Sequence, residues 1–66
     1  MRFNKVKAKT ALLIAGKTQG QIAESTELSR RWVGAAFNGH SISEKAARHI
    51  ASALGVDVTE LIEKGD

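Results

Sequence analysis

Apolar residues recur along this chain at spacings of three and four, and glycine or small polar residues interrupt them at short intervals. That is the helical period, and no stretch alternates apolar and polar positions long enough to read as a strand. Each apolar run follows a residue able to cap a helix, and most runs stop at a glycine. The pattern predicts an all-α fold: one domain over 1–66 with five short helices at about 4–15, 19–25, 30–37, 44–54 and 58–63.

The start and stop signals carry physical content. Asn4 can accept from the free amides of a first turn, ahead of Val6, Ala11, Leu12, Ile14 and Ala15, and Gly16 can take the left-handed conformation that ends a helix. Thr18 with Gln21 has the capping-box form and precedes Ile22 and Ala23. Thr26, Glu27 and Leu28 form a tight connection, Ser29 caps the third helix and Gly39 stops it. Ser43, or Ser41 with Glu44, caps the fourth helix, which carries Ala46, Ala47, Ile50, Ala51 and Leu54 and ends at Gly55. Asp57 with Glu60 makes a second capping box, with Val56 and Leu61 as a hydrophobic staple across the start of the fifth helix.

The third helix sorts its residues by face. With Val33 at the centre of the inner side, Ser29, Ala36 and Phe37 fall close to it. Arg31, Ala35 and Asn38 fall on the outer side with Gly34 beside them, and Trp32 stands at the boundary, expected to pack against a neighbouring helix. The outer face thus combines positive charge with an absence of bulk. Two short helices with a three-residue connection, the second presenting such a face, have the form of a helix-turn-helix. A helix that enters the major groove, about 12 Å wide, needs small residues where its backbone approaches the bases. It also needs long donors such as Arg30 and Arg31 in its first turn, able to reach guanine edges or phosphates.

Charge sharpens the picture. The net charge is +3 over 66 residues. Its distribution is uneven: residues 1–31 hold seven Lys or Arg against two Glu, and residues 32–66 hold three against five acidic residues. A basic front suits a polyanion partner. Arg2, Lys5, Lys7 and Lys9 crowd the start of the first helix, where cations oppose the macrodipole, so a nearby phosphate backbone is the expected reason for them, with 1–4 as a flexible basic arm. There is no cysteine, and His40 and His49 lack the clustering of metal ligands, so no metal, cofactor or small-molecule ligand is expected. The longest apolar run is far short of a membrane span and no signal peptide is visible, which points to a cytoplasmic, nucleoid-associated protein.

The span from Lys17 to Ile62 resembles the lambda repressor-like (Cro/cI-type) helix-turn-helix domain of phage and bacterial repressors. The run Val33-Gly34-Ala35-Ala36-Phe37-Asn38-Gly39 and the closing stretch from Ile50 to Leu61 carry the likeness. The resemblance implies a sequence-specific transcriptional regulator and no enzyme activity. It implies base contacts from Arg30, Arg31, Gly34 and Ala35, and backbone contacts from Gln19, Asn38, Ser41, Lys5 and Arg2. The partner would be double-stranded operator DNA, bound by a homodimer on a palindromic site, with Val58, Leu61 and Ile62 expected either at the dimer surface or in the core. Glu27 departs from the family pattern, which has glycine in the turn, and it places a negative charge near the expected DNA surface. The same span is also similar to the N-terminal helical domain of cyanases, which serves oligomer assembly. That likeness implies a helical interaction module without catalytic activity.

Overall fold

Every helix begins on a side chain that satisfies amides the backbone leaves free. In the computed structural model, which describes residues 1–62, α1 spans Lys5–Ala15, α2 Gln19–Thr26, α3 Arg30–Phe37 and α4 Glu44–Leu54. Asn4 Oδ1 accepts from the Lys7 amide at 3.0 Å, Ser29 Oγ from Trp32 at 3.2 Å and Ser43 Oγ from Ala46 at 3.1 Å. At α2 the box is reciprocal: Thr18 Oγ1 accepts from the Gln21 amide at 3.1 Å, and Gln21 Oε1 accepts from the Thr18 amide at 2.9 Å. Gly16 and Gly55 end α1 and α4 in the left-handed conformation. Glu27 ends α2 the same way at φ 60°, the single non-glycine residue with positive φ among the described residues. An L side chain there costs roughly 1–2 kcal/mol.

The helices enclose one apolar core whose largest fully buried side chains are Phe3, Phe37, Ile22, Ile50, Leu61 and Val33. α2 packs mainly on α3 and α4. Phe3 and Phe37 meet edge to face, with ring centroids 6.0 Å apart and planes at 66°. α1 turns a small-residue side inward: Ala8 is wholly buried, and Ala11, Leu12 and Ala15 pack against the core. Its Val6, Leu13 and Ile14 point outward instead.

Two expectations need correction. Residues 1–4 are not a free arm. The Ile42 amide donates to the Met1 carbonyl at 2.8 Å, the Met1 amino group donates to the Ile42 carbonyl at 3.1 Å, and Phe3 is 1 % exposed. Burying the Phe3 ring fastens this segment as a strap between the α3–α4 loop and the turn after α4. The fifth helix also reduces, within the described residues, to a single 3-10 turn at Val58–Glu60. Its box forms, with Asp57 Oδ1 accepting from the Thr59 amide and Glu60 Oε2 from the Asp57 amide. Within the described residues the chain leaves the helical path after this turn: the Leu61 carbonyl accepts from the Asn4 amide at 2.7 Å and Ile62 bridges to Phe3 in antiparallel fashion. Position 63 lies outside the described residues. The fold is therefore all-helical, with four α-helices and no strand among the described residues beyond that isolated bridge.

Of the residues expected at a dimer surface or in the core, Leu61 is fully buried, and Val58 and Ile62 pack against the core while remaining half-buried.

Candidate functional site

The outer face of α3 follows from which residues the core takes. Val33, Ala36 and Phe37 are buried, and this leaves Arg30, Arg31, Gly34, Ala35 and Asn38 outward or at the edge. The connection Glu27-Leu28-Ser29 sets α3 against α2, so the N-terminal turn of α2 lies beside this face.

The site has two halves. On one side, α2 and α3 share a corner. A Cβ on Gly20 would stand 3.2 Å from Arg30 Nη2, so the guanidinium lies across the first turn of α2. A Cβ on Gly34 would stand 3.7 Å from Gln19 Oε1, so the glutamine amide lies over the small middle of α3. A cation, an amide and a helix N-terminus share this corner, an arrangement suited to an anion. On the other side, Arg31, Trp32, Ala35, His40, Ser41 and Ile42 line a shallow, mostly apolar cleft of about 360 Å³ between α3 and the loop after it. Trp32 is 51 % exposed, so the expected packing on a neighbouring helix is at best partial and half of the ring faces out on this side.

Asn38 closes α3 through its backbone, its amide donating to the carbonyls of Gly34 and Ala35 at 3.0 and 3.1 Å, while its side chain is exposed. Lys5 crosses from α1 to the end of α3: a Cβ on Gly39 would stand 3.4 Å from Lys5 Cε. A cation there complements the negative end of the α3 dipole. Lys17 does the same for α4, its Nζ donating to the Ala53 carbonyl at 2.9 Å. These two lysines thus have local reasons for their positions that the N-terminal crowding hides. Arg2 stands exposed on the strap.

The structure therefore brings Gln19, Arg30 and Gly34 together at one corner, and Arg31, Ala35 and Ser41 together at the cleft. Lys5 and Asn38 lie at the far end of α3, and Arg2 is exposed on the strap next to Met1, which pairs with Ile42 of the cleft. Among the described residues the one ion pair is Arg48–Glu44 on α4, at 3.0 Å, so no carboxylate there neutralises Arg30 or Arg31. Glu27 lines a separate cleft with Thr26, His49 and Ser52, its nearest companions coming from α4 and not from the outer side of α3. No group of histidine, cysteine or acidic residues able to hold a metal exists among the described residues, and none of their helices is long and apolar enough to cross a membrane.

Helix periodicity alone misses the cleft. His40 and Ile42 belong to a loop whose path depends on the buried Ile42 and on the strap that pairs with it. Their presence within a few residues of Gly39 is the available signal.

Comparison of the chain with protein families, with curated proteins and with solved structures returned no match.

Proposed function

We propose that this chain is a sequence-specific DNA-binding transcriptional regulator in which α2 and α3 form a helix-turn-helix and α3 enters the major groove. The observation that carries the reading is the outer side of α3. There two arginines without a carboxylate partner among the described residues flank Gly34 and Ala35, where the helix lacks bulk. Arg31 and Ala35 read base edges; Arg30 and Gln19, sharing the α2 corner, hold a phosphate and fix the register. Asn38, Ser41 and Lys5 extend the backbone contact along the α3–α4 loop, and Arg2 adds charge from the strap. Two copies on a palindromic operator bring the readout to a useful length, with half-sites about 34 Å apart. The site of action is the cytoplasmic nucleoid, and the reading requires no cofactor.

Selection of bound duplexes from a random pool tests this. The expected result is an enriched palindrome whose affinity falls steeply as salt rises. Failure to bind any duplex at low salt defeats the reading.

A helical interaction module, the role implied by the likeness to the cyanase N-terminal domain, is the second reading. The exposed Val6, Leu13 and Ile14 favour it, since that face of α1 suits a protein surface.

A further inference from the structure

We infer that the outer face of α1 is the surface through which two copies of this chain pair, with the helices antiparallel about a two-fold axis near Thr10. Val6, Leu13 and Ile14 are 73, 81 and 82 % exposed on one eleven-residue helix. Scattered surface apolar residues need no explanation. These are not scattered: Val6, Thr10 and Leu13 are spaced by four and three residues and share one side of the helix, with Ile14 flanking them. The side continues into a groove of about 490 Å³, formed with the end of α4 and the following turn and lined by Val6, Lys7, Ile14, Leu54, Val56 and Glu60. α1 is thus apolar on two sides, and the described residues cover only one.

The pattern selects a second copy as the occupant. Large apolar side chains stand at both ends of the stripe and the small Thr10 stands between them. Antiparallel pairing about Thr10 sets Val6 against the partner's Ile14, and Ile14 against the partner's Val6. That reciprocity is what an isologous interface requires. The groove carries one cation, Lys7, and one anion, Glu60, so it suits neither a strongly acidic nor a strongly basic partner, and the exposed Lys9 beside Thr10 stands at the edge of the paired faces near its own counterpart. Of the residues expected to serve this purpose, Leu61 is wholly buried and Val58 and Ile62 are half-buried against the core, which leaves α1 the larger exposed apolar surface. The pairing deepens the DNA reading by supplying its dimer, yet its geometry uses none of the α3 residues.

Sedimentation velocity on the full chain without DNA, from ~1 µM to ~1 mM, reads the pairing directly. The expected result is a concentration-dependent dimer whose dissociation constant rises about tenfold or more in Leu13→Glu, with the helical circular dichroism unchanged because Leu13 is solvent-facing. A chain that stays monomeric throughout, or a Leu13→Glu variant that dimerises as tightly as the parent, overturns the proposal. The sequence has no cysteine, so Thr10→Cys supplies a second reading of the axis. It should oxidise readily to a disulfide-linked dimer, whereas Ser52→Cys, exposed on α4, should not. Equal cross-linking of both variants counts against the two-fold placed here. Binding to a single DNA half-site, measured separately on Leu13→Glu, should persist. Its loss in the parent chain as well would defeat the DNA reading and leave the oligomeric result standing.

Discussion

At the scale of single residues, Glu27 carries a backbone cost that its side chain does not offset with a hydrogen bond among the described residues. Glu27→Gly should raise stability by about 0.5–1 kcal/mol, since removing the Cβ relieves roughly 1–2 kcal/mol and the extra freedom of the unfolded glycine takes back part of it. For a domain of this size that is a rise in Tm of about 2–8 °C, read by thermal melts. An unchanged or lower Tm would show that Glu27 makes a compensating contact. Asp57 gives a pH dependence with a definite sign. Hydrogen bonds from the Thr59 amide and hydroxyl hold its carboxyl below the usual value of 3.8, with a small further contribution from Arg48. A depressed pKa contributes stability that is present above the unfolded value and lost as pH falls through the folded one. The melting difference between the parent and Asp57→Ala should therefore be full at neutral pH and shrink only as the pH falls below 3.8 toward the lowered value. Under the DNA reading, Arg31→Ala should cost about 1–3 kcal/mol and relax preference at one base pair, while Arg30→Ala should weaken every duplex alike. Binding selections on the two variants distinguish these outcomes.

At the scale of elements, the helices were legible because their capping residues are local: Asn4, Thr18, Ser29 and Ser43 lie within three residues of the amides they satisfy. Failures of sequence reading arose where a distant segment competed for the same atoms. The Asp57–Glu60 box reads as the start of a helix, and it does form, but Ile62 leaves the helical path to bridge to Phe3 on the strap. Residues 1–4, with Arg2, read as a mobile basic arm until the burial of Phe3 fixes the backbone beside it. The face of α3 could be assigned from periodicity, whereas the direction of Arg30 toward Gly20 could not, because it depends on how α2 crosses α3. The strap is accordingly the element whose loss should cost most. Phe3→Ala is expected to destabilise by about 3–5 kcal/mol, a large share of what so small a domain has. A denaturation midpoint close to that of the parent would contradict the packing described for Phe3.

At the scale of the whole molecule, the Cα trace extends 29 × 22 × 17 Å. Two such bodies side by side have the size needed to place a pair of α3 helices about one turn of DNA apart, and this gives the operator reading a length to satisfy. Half-sites recovered by selection should be centred about 10–10.5 base pairs apart or a multiple of it. Spacings that vary freely among the selected sequences would mean that the copies bind without a fixed pairing. The strap has one more consequence, and it concerns time. Phe3 and Asn4 leave the ribosome well before Leu61 and Ile62, which close over them. At about 5–20 residues per second the partner segment follows after roughly 3–11 s. For that interval an emerging chain can set Phe3 against Phe37 but lacks the Leu61–Ile62 segment that closes over it, so the domain completes its core only once translation has passed Leu61. The finished protein is in this sense a circle closed late, and its vulnerable period falls during synthesis.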